Sequence, residues 1–519
     1  MVGGMRTQRL SKRLLSMALS VMTLGALTTT VAEAGGSPVV RTDSGPVRGV
    51  GTGEYRSFHG IPFAAPPVGD LRWAPPRSPE PWTAVRDASK PGPRCAQEAG
   101  LGPAPSDNED CLYLNVISPA KPARKPRPVL VWVHGGSFTY GAGSDYDFKR
   151  MALGGDVVVV TVNYRLGVFG FFGHPELGRD SGVFGLQDQQ AALRWVQRNA
   201  RAFGGDPGNV TLFGESAGSM SACAQLASPS AAGLFHRVII QSSPCTLNWP
   251  DGGFVPGLPA GTPYLSRTDV EAMGADAAGK LGCADVACLR RLPVKALVNQ
   301  PFAPPAFGTG LLPEHPAEAL KAGRFARVPV LTGITRDEAR MFVAMYPGHP
   351  FTEQQYQGLL RTAFGEKAPL VAARYPSAKH GGPSMAFADA MTDRIWGCTQ
   401  LETERLLRER TRTFGYEFAD RDGPSLLPAP PGMSMGASHG AELAYLSDVV
   451  APPAELTPAQ RELGARMIRY WTAFARTGDP NGEELPKWRP SPRTQSLAPD
   501  AIGPVDLAAV HDCRFWAGI

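Results

Sequence analysis

Residues 127–136 read RPVLVWVHGG and residues 155–165 read GDVVVVTVNYR, two almost unbroken apolar runs. Such runs predict central strands of a sheet covered on both faces, where a half-exposed strand would alternate apolar with polar. Shorter β-rich runs follow at residues 209–213, 237–241, 328–333 and 414–418. Helical periodicity fills the intervals: Leu186, Leu193, Val196 and Ala200 share one face of a helix predicted over 186–203, and Gly204-Gly205 ends it. Near the C-terminus Thr457, Pro458 and Gln460 predict a capped helix start, with the helix running to about Ala475. Alternation around residues 39–50 predicts short strands, followed by an irregular Gly/Pro-rich segment over 60–76. Strands alternating with helices predict an α/β fold with a central, mostly parallel sheet flanked by helices. The long intervals predict insertions that form a cap, not a second sheet domain.

The first 34 residues have a different character. Arg6, Arg9, Lys12 and Arg13 precede an apolar run from Leu14 to about Thr28, and Ala32-Glu33-Ala34 places small residues around a cleavable bond. This is the pattern of a secretory signal, leaving residues 35–519 as one domain. The run is too short and too weakly apolar for a membrane anchor. Its removal changes the charge picture, because the formal +5 of the 519-residue chain falls to about +2. No Lys/Arg stripe with interleaved aromatics is present, so a nucleic-acid partner is not expected. With 43% hydrophobic and 19% charged residues the chain has an ordinary globular composition. A monomer is the expected state. Export also permits disulfides among the eight cysteines: Cys283 with Cys288, Cys95 with Cys111 and Cys398 with Cys513 are candidate loops, although sequence alone leaves the connectivity open. No Cys/His grouping has metal-site spacing, so no zinc site is expected.

The candidate chemistry begins at Val210–Ser221, VTLFGESAGSMS. A β-rich run ends at Phe213, and Gly214 and Gly218 flank Ser216 two residues to either side. A strand-to-helix turn can be sharp only if its neighbours lack bulk, and its sharpness lifts the serine Oγ above the sheet edge. The amide of Ala217 then becomes a natural oxyanion donor. Gly135, Gly136 and Ser137, at the end of an earlier buried strand, supply a second source. A nucleophile, acid, histidine chain order directs attention downstream. There His439, in GASHGAEL, is the best base candidate, whereas His134 precedes the nucleophile and reads as a structural residue. The acid should follow a strand end, and TRDE offers both Asp337 and Glu338; spacing does not choose between them.

Taken with FHGIPFAAPPVGDLRW, EDCLYLNV, WVHGGSF, NYRLGVFGF and the long stretch over 185–221, these motifs resemble the type-B carboxylesterase family of carboxylesterases, cholinesterases and bile-salt-stimulated lipases. The resemblance spans nearly the whole chain after residue 34 and is closest to secreted, bacterial-type members. It implies an α/β-hydrolase fold and ester hydrolysis through an acyl-enzyme, with no metal or organic cofactor. Residue by residue it implies Ser216 as nucleophile, His439 as base and Glu338 as acid, with the amides of Gly136, Ser137 and Ala217 as oxyanion donors. Glu215 matches an acid acting electrostatically near the imidazole, and Ser242 a serine supporting the catalytic acid. The pairings Cys95–Cys111, Cys283–Cys288 and Cys398–Cys513 are implied too, which leaves Cys223 and Cys245 over; these are either free, buried thiols, slightly the favoured reading, or paired with each other.

The departures from the family pattern narrow the substrate. Ser137 stands where a small or glycine residue is usual, so its side chain must point away from the substrate. Val183 replaces the usual Asn, with no consequence that the sequence reveals. Residues 96–110 contain no aromatic, which removes the platform a choline ester would need. Phe138, Tyr140 and Trp249 are candidate pocket walls, and Phe302, Phe307, Phe342 and Tyr346 lie in the two segments expected to roof the site, residues 250–325 and 341–393. The substrate implied is a small-molecule or lipid-like ester, with short to medium chain or aryl esters favoured over long acyl chains. A catalytically dead binding protein on the same scaffold is disfavoured because Ser216, Glu338 and His439 are all present.

Overall fold

The computed structural model describes residues 37–100, 104–300, 304–449 and 455–519. The proposed signal over 1–34 and Phe302 lie outside the described residues.

The chain is organised by an eleven-stranded sheet. In chain order its strands are β1 (Val50–Gly51), β2 (Tyr55–Pro62), β3 (Tyr113–Pro119), β4 (Arg127–Val133), β5 (Val158–Val162), β6 (Gly205–Glu215), β7 (Arg237–Gln241), β8 (Val330–Thr335), β9 (Thr413–Phe418), β10 (Thr494–Leu497) and β11 (Gly503–Val505). Across the sheet they lie in the order β11-β10-β9-β8-β7-β6-β4-β5-β3-β2-β1. Strands β5, β4, β6, β7, β8, β9 and β10 run parallel, and antiparallel strands close both edges.

The apolar runs form these central strands because both faces are covered. On β4, Val129, Val131 and Val133 enter one core while Leu130 and Trp132 enter another; on β7, Val238 and Ile240 separate from Ile239 in the same way. Helix α1 (Phe184–Asn199) covers the first face through Leu186, Leu193 and Val196. Each fully buried Val, Leu or Ile side chain contributes about 1.5–3 kcal/mol relative to exposure. Helix α2 (Ala217–Ala227) leaves β6 directly. Beyond β8 come α3 (Ala339–Ala344), α4 (Pro383–Met391), a π-helical turn over Thr392–Gly397 and α5 (Cys398–Arg408). The last long helix, α6 (Pro458–Thr477), covers the second face with Leu463, Met467, Trp471 and Phe474. Its Thr457–Gln460 capping box forms as the sequence predicts.

The insertions build a third apolar cluster above the sheet, containing Leu247, Phe342, Tyr346, Phe387 and Trp396. Tyr346 packs within it against Phe351 and Phe387 and donates its hydroxyl to Gly252 O. Phe307 instead packs beside the main core against His315.

Four disulfides are present, and one of them decides a choice that the sequence leaves open. Cys95–Cys111, Cys283–Cys288 and Cys398–Cys513 pair as the resemblance implies. Cys223 and Cys245, for which free thiols are only slightly favoured over a mutual bond, are bonded to each other with Cα atoms 5.4 Å apart. The cause is tertiary: β6 and β7 are parallel neighbours, so the helix after one and the loop after the other lie side by side above the same sheet edge. Closing a loop of this length stabilises the fold by about 3 kcal/mol. Thiol titration of denatured, unreduced protein is therefore expected to find no free cysteine; two thiols per chain would restore the free-cysteine reading.

Candidate active site

Ser216 sits between β6 and α2 with φ 55° and ψ −123°, a conformation rare for a residue with a Cβ. Its amide is held by Gln241 O at 3.0 Å, at the end of the adjacent β7. The turn is this tight because Gly218 lies against β4: a Cβ there would collide with the Val133 carbonyl. Ser216 itself remains half-buried and accessible.

The loop after β4 comes close to this turn. A Cβ on Gly135 would stand 3.1 Å from the Ser216 Cβ and 3.0 Å from Glu215, so any larger residue there would have to push this turn outward. Gly136, Ser137 and Phe138 all have positive φ, at 96°, 53° and 62°. Among the described residues the Gly136 and Ser137 amides donate to no protein group, and Ala217 opens α2, where first-turn amides lack intrahelical partners. The helix N-terminus adds positive potential at the same place. Ser137 is exposed. Phe138, expected as a pocket wall, is instead 3% exposed and packs edge-on against Phe171 in the main core, where it braces this loop. His134 is likewise structural. Burial pulls its imidazole down to about 4, its Nδ1 donates to Gly135 O at 2.8 Å, and its ring stacks on Tyr164.

His439 lies in the loop that follows β9 and is 3% exposed. Its Nδ1 is 2.5 Å from Glu338 Oε2, and the other oxygen of Glu338 accepts the Thr335 amide at 2.9 Å. Asp337 faces elsewhere: it pairs with Arg340 at 2.9 Å and Arg421 at 2.6 Å and accepts the Ala437 amide. Tertiary partners thus separate two adjacent acids that spacing left equivalent. On the other side of the ring, Glu215 Oε1 is 3.1 Å from His439 Nε2, yet neither atom has a hydrogen-bond partner among the described residues. Nε2 therefore remains available.

A third carboxylate escaped the sequence reading. Glu442, three residues past His439, is fully buried and accepts from Gln241 Nε2 at 3.2 Å. The motif HGAEL contained it, but nothing local shows that its side chain turns back toward the imidazole. Burial and the charge of Glu338 push its carboxyl up to about 7. Burial also pushes Glu215 upward, against the pull of His439. For His439 burial works downward, but the charges of Glu215 and Glu338 and the bond to Glu338 prevail, holding the imidazole up at about 9.

Ser242, expected to support the acid, has φ 61° and a buried hydroxyl with no partner among the described residues. The Thr335 amide holds the acid instead, while the Ser242 carbonyl accepts from Trp396 Nε1 at 3.0 Å. Trp396 and Phe342, the latter 4.9 Å from the His439 ring, wall the imidazole. Phe254 and then Trp249 extend this aromatic ladder outward. Tyr140 is half-buried, and burial together with the Glu215 charge pushes its phenol up to about 12. Val183 is buried in the main core at the start of α1 and caps nothing with its side chain.

A serine lifted on a strand–turn–helix elbow at the end of a central parallel strand defines an α/β hydrolase. The comparisons with known proteins agree. The Carboxylesterase family model matches residues 36–501. A cocaine esterase of Oryctolagus cuniculus is 35% identical over 494 residues, covering 87% of this chain and 90% of that protein. A fumonisin B1 esterase of Sphingopyxis macrogoltabida is 34% identical over 507 residues, covering 90% and 87%. Among solved structures, a PNB esterase superposes with a TM-score of 0.76 at 31% identity, covering 93% of this chain and all of that one. The chain belongs to the carboxylesterase family, and its activity is the hydrolysis of carboxylic esters.

The charge around His439 is testable. A histidine that accepts a proton must first be neutral, so if His439 is the base expected from the sequence, kcat/KM for an ester should rise with pH as it deprotonates. Glu215→Gln removes a charge that favours the imidazolium, and the limb should move to lower pH by about one unit. A limb that stays in place or moves up would contradict the electrostatic role assigned to Glu215.

Proposed function

We propose that Ser216, Glu338 and His439 form the catalytic triad of this carboxylesterase, with the amides of Gly136, Ser137 and Ala217 as its oxyanion hole. The observation that carries this reading is the Glu338–His439 contact, with Nε2 unbonded and facing Glu215, the residue before Ser216. His439 takes the Ser216 proton as Oγ attacks the ester carbonyl, and the amides hold the charge that develops on oxygen. Glu338 keeps the Nδ1–H tautomer and stabilises the imidazolium. His439 then protonates the departing alcohol, activates a water in turn, and the acid product leaves. Every step uses groups of this chain.

Short to medium acyl or aryl esters are the substrates this site favours. The aromatic ladder of Trp249, Phe254, Phe342 and Trp396 bounds the space beside His439. Among the described residues, exposed large apolar side chains such as Val68, Met345 and Leu370 are scattered along the chain, whereas binding to a lipid interface needs a continuous apolar patch. An apolar pocket discriminates weakly between homologous acyl groups, which favours broad use. No described helix is long and apolar enough to cross a membrane. The four disulfides support folding in an oxidising compartment, and with the proposed signal they support export. Reduced cysteines in the thiol titration would remove that support.

Ser216→Ala should fold normally and lose kcat by at least about 10,000-fold. Glu338→Gln should lose a similar factor, while Asp337→Asn should lower stability by about 3 kcal/mol through its buried arginine pair and leave kcat nearly intact. The reverse order of kcat losses would transfer the acid role to Asp337. On p-nitrophenyl esters from acetyl to palmitoyl, the rate should peak at short to medium chains. A maximum at long chains that appears only above the substrate's solubility limit would establish the lipase reading.

A further inference from the structure

Away from the triad the chain buries a second imidazole between carboxylates. His511 is 1% exposed, with Nδ1 2.6 Å from Asp393 Oδ1 and Nε2 2.9 Å from Glu417 Oε1. With both carboxylates ionised they only accept, each ring nitrogen then donates a hydrogen, and the ring is an imidazolium. The other charged and titratable groups facing this cluster are few. Tyr375 donates its hydroxyl to Asp393 Oδ2 at 2.7 Å, and Arg336 stands 3.9 Å from Glu417 Oε2. Asp389 acts on Asp393 from α4 but is itself engaged by Arg340 and His380, and Arg374 pairs with Asp512 beside the cluster.

Both carboxylates belong to elements that hold the triad. Asp393 lies in the π-helical turn, a geometry that is rare and concentrated at functional sites. In the same turn Thr392 Oγ1 accepts the amide of Ala339, the residue after Glu338, at 3.0 Å. Trp396 from this turn stacks on Phe342, walls His439 and donates to Ser242 O. Glu417 pairs across the sheet with Ile334, one residue before the Thr335 amide that holds Glu338. The Cys398–Cys513 disulfide ties the segment carrying His511 to the residue that follows the turn.

We infer that His511 is a positioning residue for catalysis: by bridging Asp393 and Glu417 it locks the C-terminal segment onto the π-helical turn and β9, and thereby holds Glu338 and His439 in working geometry. The inference rests on the triad reading above. Without the imidazolium, Asp393 and Glu417 would be left as buried acids without their shared cation, and the turn bearing Thr392 and Trp396 would relax. Burial pulls the His511 ring downward, but its bonds to the two acids and their charges outweigh this and hold it up at about 10. A pKa raised on folding contributes stability that is complete below the ordinary histidine value and is lost as pH rises through about 10.

The test uses the full enzyme, with kcat and KM for p-nitrophenyl butyrate followed from pH 7 to pH 11 beside near-ultraviolet circular dichroism. Wild-type kcat should fall reversibly near pH 10 before the fold is lost; a kcat that holds through that range in folded protein overturns the inference. His511→Gln should lower kcat about 10- to 100-fold at pH 8 with KM little changed, and should remove the limb near pH 10. Should that variant not fold, His511→Gln with Asp393→Asn restores the charge balance, and the same kcat loss is expected in folded protein. Wild-type kcat and an unchanged pH profile in a folded variant would reduce His511 to a purely structural role. Ser216→Ala separates the two failures: activity surviving there overturns the nucleophile assignment, whereas an inactive Ser216→Ala beside an unchanged His511 variant overturns only the positioning role.

Discussion

A buried histidine is costly to charge, and the site around His439 is arranged to reverse that cost. Glu338 fixes one ring nitrogen, Glu215 stands at the other without bonding it, and Glu442 adds a further carboxyl close by. The charged form of the ring is therefore favoured by its surroundings, and in the proposed mechanism it is the neutral ring, with Nε2 unbonded, that accepts the Ser216 proton. Remove that arrangement and Ser216 is an ordinary hydroxyl on a strained turn.

The parallel sheet makes the arrangement possible. Its strands present their C-terminal ends along one edge, and the site residues follow those ends in turn: Gly136 and Ser137 after β4, Ser216 after β6, Ser242 after β7, Glu338 after β8 and His439 after β9. No two of the proposed triad residues are close in sequence, and adjacency of strands alone brings them together. The insertions then close the apolar side, with Phe342 and Trp396 against the ring that Glu338 orients. The same π-helical turn that contributes Trp396 is held by His511 from the far end of the chain, which links the C-terminus to the catalytic loop.

What was legible in the sequence was local. Ser216 could be read because a tight turn imposes small residues within five positions, and β4 and β5 because burial on both faces leaves almost only apolar residues. The capped start of α6 was legible for the same reason: Thr457, Pro458 and Gln460 satisfy each other's geometry within four positions. Asp337 and Glu338 were not separable, since their roles are set by Arg421 on one side and His439 on the other, both far along the chain. The Cys223–Cys245 bond, the inward turn of Glu442 and the ring wall of Phe342 and Trp396 depend likewise on which strands become neighbours. Phe138 looked like a wall residue because it follows the oxyanion loop, but the positive φ values of that loop direct its ring into the core.

The central claim is that carboxylates hold the His439 imidazole well above its ordinary range. Proton and nitrogen magnetic resonance of protein labelled with 15N-histidine, titrated from pH 5 to pH 10 and assigned with a His439→Ala variant, reads that ring directly. A His439 signal that stays protonated through neutral pH and titrates near 9, with a downfield Nδ1 proton that is lost in Glu338→Gln, is the predicted result. Titration at or below the ordinary histidine value, unaffected by Glu338→Gln, would contradict it.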